Sequence, residues 1–235
     1  LFTSCGGEKL VDDFYNFYNK KDYESIADIS VSSISEQMKE IAADNYSVFG
    51  KNNSHKQYAF TNVTKKGKEI KILSYKSEYE NEDELIYEKF YIDIKNKKLT
   101  SYIYSVDKNF IDNYETYSKK GSELTFKYYD NLIDDNFAVL DEVLDKEIIL
   151  DKGLKDKYIE VVNDRRTSYG KIVKYEQINI NTFFSEGQVT IIQRFECVTD
   201  REEYVYEELR LIERDGEFKI SDYYYAPDYD ILIED

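Results

Sequence analysis

The chain has 235 residues, with 32 Lys and Arg against 48 Asp and Glu, and so carries a formal charge of −16. That acidity argues against nucleic acid as a partner, because a phosphate backbone would be repelled rather than neutralised. Two Cys and one His are too few for a disulfide scaffold or a multi-ligand Cys/His metal centre, and no apolar run reaches the roughly 20 residues of a membrane-spanning helix. The 24 Tyr and 13 Phe supply the large buriable surfaces that disordered chains lack.

The first informative stretch is Leu1-Phe2-Thr3-Ser4-Cys5-Gly6-Gly7, with small residues directly before a Cys and apolar residues ahead of them. It resembles the lipobox of bacterial lipoproteins, in the form with Ser before and Gly after the Cys that is typical of Bacteroidetes-type bacteria. The resemblance implies a diacylglyceryl group on Cys5, with residues 1–7 as lipobox remnant and tether. It also implies that Cys197 has no partner within the chain. A lipoprotein of this kind sits outside the cytoplasm in the bacterial cell envelope, on the periplasmic face or the cell surface. Several acyl chains anchor stably where one is marginal, at about 0.8 kcal/mol per buried CH2.

Beyond the tether the chain repeats itself. Leu10, Phe14, Phe17 and Tyr18 fall on one face of a helix, and Leu124, Tyr128 and Leu132 repeat the pattern 114 residues later. Each helix runs through a polar step to an aromatic residue, Tyr23 or Phe137. A second helical pattern, Ile34, Met38, Ile41 and Ala42, matches Leu154, Tyr158, Val161 and Val162 at an offset of 120. The change of offset implies a six-residue insertion between the two helices of the second copy. Gly50 and Gly170 mark the helix exits.

Strands follow in both copies. Gln57 to Val63 and Val173 to Ile180 read as the first of them. Ile70–Tyr75 aligns with Val189–Arg194, and Glu84–Glu88 with Glu203–Glu207. A turn at Lys95-Asn96-Lys97, or at Arg214-Asp215-Gly216, leads into a last strand at Leu99 to Tyr104 or Phe218 to Tyr223, the Asp-Gly pair being a good hairpin signal. The expected organisation is a first domain at 8–105, a linker at 106–120 in which Phe110, Tyr114 and Tyr117 hint at a short helix, and a second domain with a C-terminal tail at 121–235. Helices before strands indicate an α+β class.

Two helices followed by a meander of about four strands, written twice, resembles the NTF2-like superfamily of cone-shaped α+β domains. The resemblance implies two tandem cones, each with helices followed by a bent antiparallel sheet. Because such domains usually pair through their sheets, it further implies a monomer with an internal pseudo-dimer. It does not imply an activity, since the superfamily includes enzymes and plain adaptors.

Strand phase selects the candidate residues. Ile86, Glu88, Phe90, Ile92 and Ile94 share one face, and Val205, Glu207, Leu209 and Leu211 share the matching face, so each apolar row carries a Glu at the same place. A carboxyl on a core row is costly to bury charged, and is paired or has a raised pKa. Asp222 falls on the same face as Phe218 and Ile220, so Glu207 and Asp222 form a possible acid pair in the second cone, the arrangement an isomerase- or hydrolase-type enzyme would use. The competing expectation is that the Glu pair is structural. Arg194 is expected to point outward, His55 to be solvated in a polar loop, and Cys197 to be an inert buried thiol.

Glu88, Glu207, Tyr206, Tyr223 and Tyr225 are the candidate binding residues, Tyr being suited to contact surfaces and glycan stacking. No Gly-rich phosphate loop, HExxH, GxSxG or EF-hand pattern occurs, so neither cofactor nor metal is expected. The acids from Glu78 to Glu84 lack a fixed ligand spacing and read as a charged loop. The expectation is a membrane-anchored lipoprotein with a non-catalytic binding or scaffolding role toward an envelope protein, a glycan or a small ligand. The alternatives are an enzyme using Glu207 and Asp222, and a surface adhesin using the tyrosine-rich last strand.

Overall fold

The computed structural model describes residues 7–65, 67–150, 152–185 and 187–233. Cys5 and the residues before it lie outside that set. The chain divides into two compact units, the first ending at Asp112 and the second beginning at Asn113.

The first unit opens with α1 (Gly7–Lys20), in which Leu10, Val11, Phe14, Tyr15 and Tyr18 are buried. Spacings of one, three and four residues put these side chains on one broad stripe. A short α2 (Tyr23–Asp28) follows, its N-terminus capped by Asp22, whose carboxylate accepts from the Ser25 amide at 3.2 Å and the Ser25 hydroxyl at 2.7 Å. Then α3 (Ser35–Phe49) buries Met38 and Ala42. A four-stranded antiparallel meander completes the unit: β1 (Asn52–Lys65), β2 (Lys68–Tyr79), β3 (Glu82–Asp93) and β4 (Lys98–Ser105), in spatial order β1-β2-β3-β4. Phe14, Tyr15, Phe90 and Tyr102 form the centre of the core, with Phe14 and Phe90 edge-to-face at 5.1 Å between centroids.

The second unit repeats this order. Its first helix is the C-terminal part of α4 (Lys108–Ile133), followed by a 3-10 turn (Phe137–Val139), α5 (Leu140–Val143), α6 (Lys146–Leu150) and α7 (Lys152–Tyr169). The sheet is β5 (Ile172–Ser185), β6 (Gln188–Thr199), β7 (Tyr204–Arg214) and β8 (Glu217–Ala226), in order β5-β6-β7-β8, and α8 (Tyr229–Ile233) ends the described chain. The fold is therefore α+β, helices followed by an antiparallel sheet, twice over, in the order that the NTF2-like resemblance implies.

Irregular features recur too. Both first strands carry a register shift at the same place, between Gln57 and Ala59 and between Gln177 and Asn179. Lys21 and Asp135 both take left-handed backbone angles, φ 57° and 58°. A parallel bridge ties each helical region to the last strand, Ser30 to Leu99 and Leu144 to Ile220. Counted from that bridge to the glycine that ends the next long helix, Gly50 or Gly170, the second unit has six extra residues, and α6 lies among them.

Two expectations need correction. The short helix hinted at within 106–120 is instead the first half of α4, which runs unbroken from Lys108 to Ile133, with the unit boundary after Asp112 falling inside it. Asp107 caps it, accepting from the Phe110 amide at 2.7 Å, and Gly121, Thr125, Tyr128 and Tyr129 are buried at helical spacing in its C-terminal half.

The strand alignment is also one residue out. Glu88 stands opposite Tyr75 and Glu207 opposite Phe195, so Tyr75 corresponds to Phe195 rather than Arg194, and Ser77 to Cys197. A one-residue slip exchanges the two faces of a strand. Of the residues expected inward on β3 and β7, Ile94 is the exception, at 41% exposed where β3 has ended.

Gly50 and Gly170 end α3 and α7 with φ of 73° and 100°. At Gly170 an added Cβ would lie 2.3 Å from Asp200 Oδ1, an atom that already accepts from the Lys171 amide at 2.8 Å. Gly170→Ala is therefore expected to destabilise the second unit by about 2 kcal/mol, from left-handed strain and the clash together. Urea denaturation followed by circular dichroism measures it, and a neutral result would mean the helix exit relaxes freely.

Candidate functional site

The two inward carboxyls are the chemical centre of each unit. Glu88, on β3, is fully buried. Its Oε1 accepts from the Tyr79 hydroxyl at 2.9 Å and the Tyr102 hydroxyl at 2.6 Å. Its Oε2 accepts from the Tyr15 hydroxyl at 2.6 Å and from Ser77. Four hydroxyls from α1, β2 and β4 thus converge on one carboxyl and fill its acceptor positions. Burial pushes the carboxyl above its ordinary range, and the four donors oppose that shift without cancelling it. Burial and the neighbouring Glu88 push Tyr15, Tyr79 and Tyr102 well above the usual phenol range, so all three remain donors.

Glu207, on β7, is equally buried but differently held. Its Oε2 accepts from the Tyr129 hydroxyl at 2.9 Å, and Tyr129 is the repeat of Tyr15. Ser77 and Tyr79 are replaced by Cys197 and Thr199 at the corresponding ladder positions, so two donors are lost. A cation substitutes for them: Arg165 Nε lies 2.9 Å from Glu207 Oε1, close but poorly aligned for a hydrogen bond. Arg165 Nη1 also donates to the Gly170 carbonyl at 2.8 Å, the role that the Tyr18 hydroxyl plays toward Gly50 at 3.0 Å in the first unit. Burial raises the Glu207 pKa, opposed by Arg165, Tyr129 and Tyr223. The two copies have reached the same end, a helix pinned to the sheet through a central carboxyl, by a neutral cage in one and an ion pair in the other.

Asp222 does not join Glu207. Register shifts between Arg210 and Leu211, placing Ile220 opposite Leu211 and Asp222 opposite Arg210. Ser221 is the bulged residue, and its hydroxyl donates to the Arg210 carbonyl at 3.1 Å. Thr100 does the same to the Tyr91 carbonyl at 3.2 Å in the first unit. The bulge reverses the phase of β8, so Tyr223 faces the core and Asp222 is exposed. Sequence alternation alone could not reveal this; the repeated hydroxyl at the bulge was the available signal.

The remaining candidates are scattered. Tyr223 is buried against the Arg165–Glu207 pair. Tyr206, half-buried, donates to Glu196 Oε2 at 3.2 Å, and Tyr225 packs edge-on against Tyr169. Tyr224 lies on the other face beneath the Arg210 guanidinium, 4.7 Å from its ring centroid. The tyrosine-rich strand therefore presents no single aromatic face.

Arg194 points outward as expected, onto Glu208, which is also held by Arg210, each Nε at 2.8 Å. His55 is not in a loop but in β1, stacked on Tyr15 at 3.9 Å between centroids, with Asp12 at 3.2 Å and Asn52 at 3.1 Å from its ring nitrogens. Its ladder position matches that of Tyr175, which stacks on Tyr129 in the same way. Cys197 is a buried thiol whose pKa is raised by burial.

A cleft of about 370 Å3 in the second unit is lined by Leu154, Tyr158 and Val161 of α7, by Ser221, Asp222 and Tyr223 of β8, and by Arg214, Asp145 and Glu147. Within that lining Arg214 Nε is 2.7 Å from Asp145 Oδ2, an ion pair. Neither Glu88 nor Glu207 lines it. Among the described residues no cluster of His, Cys, Asp and Glu is arranged to hold a metal ion, and no helix is long and apolar enough to cross a membrane.

No family model matches the chain. An 85-residue stretch, 36% of the chain, is 33% identical to V-type ATP synthase subunit I of Borreliella burgdorferi, and covers 13% of the length of that protein. In structure, the chain aligns over 94% of its length with 98% of an "Ntf2 like protein involved in plasmid conjugation", at a TM-score of 0.32 and 10% identity.

Proposed function

We propose that this is a lipid-anchored protein of the bacterial cell envelope, exposed outside the cytoplasm, with a binding or scaffolding role and no catalysis of its own. The observation that carries the non-catalytic part is the state of the two inward carboxyls. Each is wholly buried, is held by side chains of its own unit (four hydroxyls at Glu88, Tyr129 and the Arg165 cation at Glu207), and pins a helix to a sheet; a proton-transferring acid needs a substrate within hydrogen-bond reach. Asp222, the other half of the acid pair an enzyme would use, faces away. The cleft between α7 and β8 is the best candidate for binding a small ligand, with the Tyr158 and Tyr223 rings and apolar Leu154 and Val161 inside and Lys157 and Asp222 lining it.

The anchor rests on Thr3-Ser4-Cys5-Gly6 and the apolar residues before it. Expression in a lipoprotein-processing host with an alkyne-labelled fatty acid is expected to label the protein and send it to the membrane fraction, whereas Cys5→Ser should be unlabelled and fully soluble. Equal labelling of both forms, or of neither, would sink the anchor.

A further inference from the structure

The β1–β2 hairpin of the first unit carries apolar residues in the open. Every residue of β1 from Ala59 to Thr64 is exposed, with Phe60 at 65% and Val63 at 40%. From Phe60 to Lys71 the sequence has four lysines, at 65, 66, 68 and 71, against one Glu69, in a chain whose net charge is −16. The backbone register sets Lys65 opposite Lys68, and like charges directly opposite each other destabilise a hairpin. The turn itself does not demand lysine. The matching hairpin of the second unit turns at Gly187 as this one does at Gly67, with φ of 77° and 75°, and from Ile180 to Ile191 it has no lysine and one Glu.

The basic hairpin is also the one beside the start of α1. Glu8 Oε1 accepts from Lys71 Nζ at 2.8 Å, and Lys71 Nζ lies 5.7 Å from the centroid of the Phe60 ring. A Cβ on Gly7 would be 3.2 Å from Leu73 Cδ1, and Leu73 is the ladder partner of Phe60. Two peptide units separate Gly7 from Cys5, a span of at most about 7 Å. A lipid on Cys5 would therefore hold the start of α1, and with it the hairpin it packs against, close to the bilayer surface.

We infer that the β1–β2 hairpin is a membrane-docking surface for anionic phospholipid, with exposed Phe60 entering the interfacial layer and the basic charge of the turn sequence drawing the hairpin to the headgroup phosphates. Attraction between lysines and an anionic surface is short-ranged, so docking depends on a tether that holds the hairpin at the surface. The orientation rests on the lipid-anchor reading, and the test supplies the tether artificially so that the two can fail separately.

The chain has no Trp, so Phe60→Trp installs a unique fluorophore at an exposed position. Protein made without lipid is coupled through Cys5 to a maleimide-headgroup lipid in vesicles; Cys197, at 0% exposed, is shielded from the reagent. On vesicles containing phosphatidylglycerol the Trp emission should shift to the blue and be quenched by brominated acyl chains. Both effects should weaken on pure phosphatidylcholine and disappear when Lys65→Glu and Lys68→Glu are added. No response to phosphatidylglycerol would overturn the inference, as would an equal response on phosphatidylcholine. An equal response from Phe183→Trp in the second unit would also overturn it, because it would mean unspecific adsorption. Failure of fatty-acid labelling in cells would leave this result standing.

Discussion

Glu88→Leu is expected to destabilise the first unit by about 4 kcal/mol, since it leaves the hydroxyls of Tyr15, Tyr79, Tyr102 and Ser77 buried without their acceptor. That is a large fraction of the 5–15 kcal/mol typical of a whole domain. Glu88→Gln, which keeps an acceptor oxygen and the shape of the side chain, should cost about 1 kcal/mol or less. The pH dependence separates ionisation from packing. Because the folded-state pKa of Glu88 is raised, its contribution is fully present below the unfolded-state value, about 4.5, and is lost as pH rises through the folded value. The wild-type urea midpoint should therefore fall relative to Glu88→Gln as pH is raised from about 4 toward neutrality. Should Glu88→Leu prove as stable as Glu88→Gln, the hydroxyl cage would not be what holds α1 to the sheet.

Arg165→Met is expected to cost the second unit about 3–5 kcal/mol, because it leaves Glu207 buried without its cation and the Gly170 carbonyl without its donor. The loss should grow with pH, since removing the cation raises the Glu207 pKa further and widens the window over which the folded state must hold a proton. Adding Glu207→Gln should recover much of the loss. The four proteins of that cycle, compared by urea denaturation near neutral pH, give the coupling directly. Additive effects would mean that the 2.9 Å pair is a neighbourhood and not an interaction. This cycle leaves the first unit untouched, where Asn45 stands in the place of Arg165 and the carboxyl is held by uncharged hydroxyls.

The way these carboxyls are held explains how much of the site could be read before folding. Alternation placed Glu88 and Glu207 on apolar rows, and both are indeed at the centre of their cores. Their partners are remote in the chain, 73 residues away for Tyr15 and 78 for Tyr129, and nothing local indicates that a phenol and a carboxyl so far apart will meet. Arg165 was invisible for the same reason: it lies in a helix with a weak apolar stripe, and its burial follows from Glu207 opposite it. Asp222 was misplaced because a bulge inserts one residue, and every side chain after it changes face. His55 reads as a loop residue in sequence because the apolar side of β1 is thin, whereas cross-strand pairing with β2 carries the strand back to Asn52.

By itself the sequence determined the α+β class, the duplication, the six-residue insertion and the two core glutamates, because these depend on local periodicity and on comparison of the chain with itself. The tertiary structure alone decided where the first helix of the second copy begins, which residue of β2 matches which of β6, and what neutralises each buried carboxyl. Those outcomes turn on register and on contacts between distant segments, where a shift of one residue reverses a face and the burial cost of a charge is met by whichever donor the fold brings within about 3 Å.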